Sequence, residues 1–196
     1  MVKNEILKTA GELFFKYGLR SVSIDDICNE MHISKKTFYV HFKQKDELVE
    51  CLLTSIRDQE IHNQNELLLS DNIVTTVLVN YKNILKNFNV DKHLAFFYDL
   101  EKYYPKLMSI HKEEKNLNLE NNVKSILNLG IEQGFFRTDI NIDMMSTFLV
   151  KSFLAYVSDL KADSIPYRKK IDFLMETFFR LVSTPKGLEC YFENIK

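Results

Sequence analysis

The fold is decided by a short stretch near the N-terminus, Ser34-Lys35-Lys36-Thr37-Phe38-Tyr39-Val40-His41-Phe42. At helical spacing, Phe38 and Phe42 fall on one buried side and the other side chains point elsewhere. Ser34 is a good N-cap for a short helix. The outer face would then carry lysines, hydroxyls and a histidine, which suit the DNA major groove, where phosphates, base edges and thymine methyl groups are within reach. For this stretch alone, a solvated surface helix is the alternative interpretation.

A second short amphipathic segment precedes it, Ser23-Ile24-Asp25-Asp26-Ile27-Cys28-Asn29-Glu30-Met31. Ser23 is its predicted N-cap, and Asp25 and Asp26 suit the positive N-terminal end of a helix. Only a tight turn around residues 31–33 fits between the two segments. Two short helices joined by about three residues, the second one basic, form a helix-turn-helix.

Length and composition favour an all-α protein. The 196 residues suffice for one large or two small helical domains with a real core. Because only 5 Gly and 3 Pro are present, we expect long helices rather than sandwiches, barrels or Gly-rich nucleotide-binding folds. The formal net charge of −1 excludes a polycationic, histone-like DNA binder. The span 32–45 nevertheless holds four lysines and no acid, which predicts a basic patch on one face.

Cysteine usage and hydropathy bear on the compartment. Cys28, Cys51 and Cys190 lack the spacing of a metal or redox motif, so we interpret them as reduced thiols in a reducing compartment. No apolar run approaches about 18 residues, and the N-terminus leads into an amphipathic helix, so neither a signal peptide nor a membrane span is predicted. We expect a soluble, cytoplasmic protein without a membrane partner.

Apolar spacing predicts helices along the whole chain. A first helix over about 3–17 would cover the helix-turn-helix pair. The later predicted helices span about 45–69, 73–88, 91–104, 105–133, 143–160 and 167–182, with an additional short helix over 188–195. Residues 184–187 are expected to end the last long helix. The predicted fold is therefore a head of three helices followed by a larger bundle of roughly six.

The order of these motifs resembles the DNA-binding domain of TetR-family transcriptional repressors. The resemblance rests on an amphipathic helix followed by Tyr17-Gly18-Leu19-Arg20, Ser23-Ile24-Asp25-Asp26-Ile27, the stretch 33–42, and Lys43-Gln44-Lys45-Asp46-Glu47-Leu48. It covers roughly the first 50 residues, a quarter of the chain. One position departs from the family pattern, because His32 stands where the family usually has Gly. That turn residue often needs a left-handed backbone, which His adopts more readily than most non-Gly residues, at some cost.

The resemblance implies a sequence-specific transcriptional regulator. It would be a dimeric repressor, released from a palindromic operator by a small molecule, with a DNA-binding domain over 1–47 and an effector-binding and dimerisation domain over 48–196. The predicted DNA-binding residues are Ser23, Ser34, Lys35, Lys36, Thr37, Tyr39, His41 and Lys45. By resemblance Thr37, Tyr39 and His41 face the DNA, with the two adjacent lysines at the groove edge or bases. Ser23 and Lys45, each at the start of a helix, would grip phosphates.

Dimerisation is predicted for the last two long helices, because each is apolar over more than one face. Two copies of both would form an isologous four-helix interface, and a two-fold dimer places two recognition helices about one DNA turn apart. The predicted interface residues are Phe148, Tyr156, Met175, Phe178, Phe179 and Val182. Core packing within one chain is the alternative for each of them.

An effector site is predicted in residues 81–111, which are dense in aromatic side chains with two histidines nearby. Tyrosine and histidine bring polar tips into an apolar region, as in small-molecule pockets. The predicted ligand-binding residues are Tyr81, Phe88, Phe96, Phe97, Tyr103 and His111. A lipophilic or aromatic effector is the hypothesis for the ligand, and ordinary core packing is the alternative for the residues.

Enzymes and metal-binding proteins are the rival classes. Cys28 and His32 make two ligands without partners, and His111-Lys112-Glu113-Glu114-Lys115 lacks the second histidine of a metalloprotease helix. Residues 139–143 lack the Gly and distal Glu of a calcium loop, and no nucleophile elbow, Walker loop or dinucleotide fingerprint occurs. We expect no enzyme activity, no cofactor and no metal. A DNA-binding protein without an effector, and an activator in place of a repressor, remain open.

Overall fold

The computed structural model describes residues 2–87, 94–158 and 166–195. These ranges are helical apart from turns and one isolated antiparallel β-bridge between Phe136 and Ser183. The helices are α1 Val2–Tyr17, α2 Ile24–Glu30, α3 Lys35–His41, α4 Lys45–Leu67, α5 Ile73–Asn87, α6 Leu94–Tyr103, α7 Pro105–Glu132, α8 Ile142–Ser158, α9 Tyr167–Val182 and α10 Pro185–Asn194. The all-α prediction is confirmed, and α4, α5, α7 and α9 start at the predicted residues.

The chain packs as two compact units. Unit 1 consists of Met1–Glu60 and Asn89–Glu114, and unit 2 consists of Ile61–Phe88 and Lys115–Lys196. These units do not coincide with the predicted segments 1–47 and 48–196, because α6 and the start of α7 pack with the N-terminal helices. The assignment of DNA binding to one segment and of effector binding and dimerisation to the other stays a prediction.

One face of α1 forms the base of the core of unit 1. Ile6, Ala10 and Phe14, which lie at steps of four residues, are fully buried. The helix ends at Gly18, whose backbone φ is +85° and whose N–H donates to the Phe14 carbonyl at 2.8 Å. Glycine adopts this left-handed conformation without a steric penalty, as the predicted helix stop requires.

Helix α6 completes this core although it is distant in sequence. Phe96 and Leu100 are fully buried among the α1–α4 residues of unit 1. The Phe96 ring centroid lies 4.7 Å from that of Phe15 on α1. The head therefore packs against α6 as well as against α4.

The α2–α3 turn is a Schellman motif built on a histidine. With Met31 as the C-cap, the His32 N–H donates to the Asn29 carbonyl at 3.2 Å and the Ile33 N–H donates to the Cys28 carbonyl at 3.0 Å. This pair of bonds satisfies two carbonyls at the helix end. His32 has φ +53°, so the predicted left-handed conformation is confirmed.

Unit 2 is built from α5, α8, α9, α10 and the C-terminal part of α7. Its turns are tied together by backbone bonds, because the Arg137 N–H donates to the Val182 carbonyl at 2.8 Å and the Thr184 N–H donates to the Phe135 carbonyl at 2.9 Å. These bonds join the α7–α8 turn to the end of α9. The buried core of the unit includes Ile73, Val74, Leu78, Leu127, Phe136, Phe179 and Val182.

Residues 184–187 begin a helix, whereas the sequence analysis expected them only to end one. The Thr184 side chain accepts a hydrogen bond from the Gly187 N–H at 3.2 Å, and Pro185 occupies the first turn of α10. Both are helix-starting signals. A Cβ at position 187 would lie 2.1 Å from the Phe135 carbonyl oxygen, so the close approach of α10 to the α7–α8 turn requires glycine there.

We expect His32→Gly to raise the free energy of unfolding by up to about 1 kcal/mol. Removing the side chain relieves a left-handed strain of roughly 1–2 kcal/mol, and the larger freedom of glycine in the unfolded chain offsets part of that gain. His32→Ile is the matched comparison and should lower the free energy of unfolding, because a β-branched residue tolerates positive φ poorly. Urea denaturation followed by circular dichroism measures the free energy of unfolding of the wild type and both variants. Equal stabilities would contradict the assigned backbone strain.

Candidate functional site

Helix α3 presents one continuous outer face. Its buried side is formed by Phe38 and Phe42, both fully buried as predicted, with ring centroids 5.8 Å apart. The side chains left exposed or half-buried on α3 are Lys35, Lys36, Thr37, Tyr39, Val40 and His41. The predicted DNA-facing residues of α3 therefore share one accessible surface.

Val40 is a residue of this surface that the predicted DNA-binding set missed. Its side chain is 73% exposed, and the neighbouring Tyr39 is 50% exposed. A branched apolar group held in solvent next to polar ones suits contact with thymine methyl groups. Its position on the side opposite Phe38 was the available sequence signal, although valine by itself favours a core interpretation.

The N-terminus of α3 is capped by the side-chain hydroxyl of Ser34. The Ser34 Oγ accepts a hydrogen bond from the Thr37 N–H at 3.1 Å, and the two hydroxyl oxygens lie 2.9 Å apart. Ser34 is thus the N-cap, as predicted from the sequence. The Thr37 hydroxyl is half-buried beside this cap, at the edge of the outer face.

Lys35 forms an ion pair in the free protein. Its Nζ lies 2.7 Å from Oδ1 of Asp25 on α2, and this hydrogen bond raises the pKa of Lys35. Both side chains are more than half exposed, so the pair contributes little to stability. It does neutralise one of the four lysines counted in the basic stretch.

The N-terminus of α2 carries a capping box. The Ser23 N–H donates to Asp26 Oδ2 at 2.7 Å, the Ser23 hydroxyl donates to the same oxygen at 2.6 Å, and the Asp26 N–H donates to Ser23 Oγ at 3.2 Å. The hydrogen bonds from Ser23 lower the pKa of Asp26. Because the Ser23 hydroxyl is engaged here, a phosphate at this end would meet backbone N–H groups first, and the predicted contact stays a prediction.

Lys45 has a side-chain role that differs from the predicted one. Its ammonium donates to the carbonyls of Leu19 and Val22, the latter at 2.5 Å, and lies 5.3 Å from the Phe14 ring centroid. Burial lowers the pKa of Lys45, against the raising effect of nearby carboxylates. The side chain thus binds the α1–α2 turn, and a phosphate contact at Lys45 stays a prediction for its position at the start of α4.

The predicted ligand-binding residues do not converge on one cavity. Phe96 belongs to the core of unit 1, where Phe97 stacks on the buried His111 with ring centroids 6.1 Å apart. Tyr103 is on the surface of the same unit, and Tyr81 is buried in unit 2, where its hydroxyl donates to Asp172. Phe88 lies outside the described residues. The aromatic density that suggested a pocket is ordinary packing for Phe96 and Phe97.

An apolar cavity of about 450 Å³ lies in unit 2, among α5, α7, α8 and α9. It is lined by Val77, Leu119, Val123, Ile126, Phe148, Leu149, Val150, Ser152, Phe153, Ile171, Phe173, Leu174, Met175, Thr177 and Phe178. Among the described residues that line the cavity, the polar side chains are those of Ser152 and Thr177, and none is ionisable. The sequence analysis missed the cavity because aliphatic residues at helical spacing are indistinguishable from core residues.

The predicted dimer residues separate into surface and core. Phe148 is 55% exposed, and Met175 and Phe178 are half-buried in the cavity lining. The prediction is wrong for Phe179 and Val182, which are fully buried within unit 2, the former with its ring centroid 4.5 Å from that of Tyr191. The side chain of Tyr156 lies outside the described part of the structure.

Two further apolar residues are exposed on α8 and α9, of which Met144 was one of the apolar residues that favoured a dimer and Phe173 was not predicted. Met144 is 72% exposed and Phe173 is 59% exposed. Large apolar side chains in solvent on neighbouring helices indicate an interaction surface. Their exposure depends on how α8 and α9 rotate on packing, which residue type alone does not reveal.

Within residues 2–87, 94–158 and 166–195, no group of three or more His, Cys, Asp or Glu side chains is arranged to hold a metal ion. None of the helices in those ranges combines the length and apolarity needed to cross a membrane.

Comparison with known proteins identifies the N-terminal region. Residues 6–52, which include α2 and α3, match the family described as "Bacterial regulatory proteins, tetR family". The HTH-type transcriptional repressor KstR2 of Mycobacterium tuberculosis is 23% identical over 152 residues, which cover 75% of each chain.

Solved structures share the whole fold at low sequence identity. The reduced form of E. coli NemR has a TM-score of 0.71 at 15% identity, covering 94% of this chain and 99% of that one. A putative transcriptional regulator from Saccharomonospora viridis in complex with choline has a TM-score of 0.66 at 18% identity, covering 93% and 98%. The M. tuberculosis and S. viridis proteins are named as a transcriptional repressor and a putative transcriptional regulator, and the matched helix-turn-helix is the element that reads DNA. Residues 6–52 are thus a DNA-binding domain similar to that of the tetR family, and the chain is a DNA-binding transcriptional regulator.

Proposed function

We propose that this regulator is a homodimeric repressor that binds a palindromic DNA site through α3 and leaves it when a neutral lipophilic molecule binds unit 2. The observation that carries the proposal is the outer face of α3, where Lys36, Tyr39 and Val40 are exposed above the buried Phe38 and Phe42. This face offers a cation for phosphates, a hydroxyl for base edges and an apolar group for thymine methyls. A cytoplasmic location is part of the same proposal.

The direct test is selection of bound duplexes from a randomised DNA pool. The wild-type protein should enrich a palindromic site, since two-fold symmetry in the protein requires it in the DNA. The Lys36→Ala, Tyr39→Ala double variant should enrich none. Failure of the folded wild type to enrich any site would refute sequence-specific binding by α3.

Dimerisation is supported by the exposed apolar residues of α8 and α9. Met144, Phe148 and Phe173 lie on these two helices, and two copies of such a pair form a closed, isologous interface. Phe148 and Phe173 also line the apolar cavity, so in this proposal a second chain covers its opening.

Effector binding is supported by the cavity in unit 2. A volume of about 450 Å³ without an ionisable lining residue suits an uncharged ligand, because burying an unpaired charge there would be costly. The choline complex of the S. viridis protein gives one precedent for a small molecule bound within this fold. The effector would act by population shift, favouring a dimer whose recognition helices no longer match successive grooves. A constitutive regulator without an effector is the second candidate.

Tyr39→Ala should weaken binding to the selected site by roughly 1–3 kcal/mol if the hydroxyl reads a base edge. Tyr98→Ala on α6 is a matched control, because Tyr98 is also an exposed tyrosine but lies outside α3. Fluorescence anisotropy with the selected duplex measures both. Equal affinities of the two variants would remove Tyr39 from the proposed interface.

Substitution of Lys36 and of Lys45 should separate an effect on DNA affinity from an effect on stability. Lys36→Ala should weaken all duplexes alike and reduce the salt dependence by about one unit of slope, as for one phosphate contact. Lys45→Ala should instead lower the free energy of unfolding by roughly 1–3 kcal/mol, because two carbonyls of the α1–α2 turn lose their donor. Salt titrations of binding and urea denaturation distinguish the two. Unchanged stability of Lys45→Ala would contradict the role assigned to its side chain.

Replacing Phe148 and Phe173 together by Glu should convert the dimer to a monomer, because four carboxylates would then be placed at the proposed interface. Size-exclusion chromatography with light scattering gives the mass. Leu69→Glu serves as the control, since Leu69 is exposed but lies outside α8 and α9. A strict monomer of the wild-type protein at micromolar concentration would refute the proposed dimer.

Filling the cavity should abolish ligand binding and leave DNA binding unchanged. Val123→Phe adds volume inside the cavity, whereas the control Val79→Phe adds the same volume at an exposed site on α5. The uncharged dye Nile red should bind the wild type and the control with increased emission, and Val123→Phe should lose this signal. Absence of dye binding to the folded wild type would favour the constitutive regulator.

A further inference from the structure

The turn between α1 and α2 is held by side chains of α6, a helix far away in the sequence. The Arg20 backbone N–H donates to Asp99 Oδ2 at 2.8 Å. The Arg20 guanidinium donates to the Tyr103 hydroxyl at 2.9 Å and lies 5.6 Å from that ring centroid. One carboxylate and one phenol, a single helical turn apart, thus bind the backbone and the side chain of the same residue.

The approach of this turn to α6 leaves no space for another side chain. A Cβ at Gly18 would lie 2.8 Å from the same Asp99 Oδ2 and 3.6 Å from the Ala95 Cβ. Gly18 also has φ +85°, so both the backbone conformation and the proximity of α6 demand glycine. The contact with α6 is therefore built into the turn at two backbone positions, 18 and 20.

The opposite side of the turn is held by α4. The Lys45 ammonium donates to the carbonyls of Leu19 and Val22. Between Asp99, which accepts, and Lys45, which donates, three backbone groups of residues 19–22 are bound by side chains from two other helices. The six residues that connect α1 to α2 therefore have less conformational freedom than a surface loop of that length.

The turn is followed directly by the helix-turn-helix formed by α2 and α3. Ser23 follows Val22 and is the N-cap of α2, and α2 leads through the His32 turn into α3. Any displacement of residues 19–22 therefore displaces the start of α2 and, through the His32 turn, α3. The side chains that hold the α1–α2 turn set the position of the helix-turn-helix.

We propose that Asp99 is a positioning residue for DNA binding, which holds the α1–α2 turn through the Arg20 N–H and thereby orients the helix-turn-helix, and with it the outer face of α3, towards the DNA. The inference rests on the proposed function, because it assumes that α2 and α3 dock on DNA. Asp99 itself touches no DNA in this scheme. Tyr103 assists by holding the Arg20 side chain.

The test compares Asp99→Ala with Asp99→Asn, in the full-length protein. The Asn variant keeps a carbonyl oxygen that accepts a hydrogen bond from the Arg20 N–H, so it should retain most of the wild-type DNA affinity. Glu101→Ala is the matched control, since Glu101 is a carboxylate on the same helix that pairs with Lys112 at 2.8 Å. Hydrogen exchange of peptides covering residues 18–23 reports the turn, and titration of the wild-type-selected duplex reports DNA binding, with Kd calculated for the folded, active fraction.

We expect Asp99→Ala to speed exchange in residues 18–23 and to raise Kd by about tenfold for all duplexes alike, as for the loss of one charge-assisted hydrogen bond. Asp99→Asn should lie within about threefold of wild type, and Glu101→Ala should match wild type in both measurements. A residue that serves only stability would lower the free energy of unfolding but leave the Kd of the folded fraction unchanged.

Two results would overturn the inference in distinguishable ways. If folded Asp99→Ala binds the duplex within twofold of wild type, Asp99 has no positioning role, although the proposed function stands. If wild-type protein binds neither a selected nor a random-sequence duplex, the proposed function fails and the inference fails with it. Should Asp99→Ala not fold, Asp99→Leu decides, because its branched side chain has a similar shape but accepts no hydrogen bond from the Arg20 N–H. A wild-type Kd for the folded fraction of that variant would equally refute the positioning role.

Discussion

Burial of Phe38 and Phe42 is the constraint on which the DNA-reading surface depends. Helix α3 has seven residues, too few for a helix that is stable by itself. Its position therefore comes from packing, and the two fully buried rings contribute roughly 1.5–3 kcal/mol each. Because they lie four residues apart, they fix the rotation of α3 about its axis. The exposure of Lys36, Tyr39 and Val40 is a consequence of that rotation.

The four lysines near α3 differ in whether their ammonium group is already paired within the protein. Four lysines in residues 32–45 predicted a basic patch, yet Lys35 is paired with Asp25 and Lys45 is bound to two backbone carbonyls. Lys36 and Lys43 remain exposed. A cation already paired with a carboxylate releases fewer counterions when it meets a phosphate. The proposed DNA affinity therefore depends more on the shape and contacts of the α3 face than the lysine count suggests.

The sequence predicted the features that depend on neighbouring residues. The caps Ser23 and Ser34 and the stop at Gly18 follow from local backbone chemistry, and the left-handed His32 was implied by the family resemblance. The structure confirms these features. What could not be predicted depends on contacts between distant segments. Nothing local indicates that Lys45 turns inward, and a run of aromatic residues does not tell a packed core from a cavity lining. For that reason the described members of the predicted ligand-binding set do not share one cavity, and Phe179 and Val182, predicted for the interface, are core residues.

Helix α6 shows why the head is not a self-contained module. The family match covers residues 6–52, but the core of the head also needs Phe96 and Leu100, which lie outside that range. The contact is close-packed, and close-packed contacts transmit displacement because they leave no slack to absorb it. Gly18 and Asp99 meet at such a contact. A displacement of α6 by about 1 Å would therefore move the α1–α2 turn or stretch the Arg20 hydrogen bond beyond its normal range, and either change would reach the start of α2.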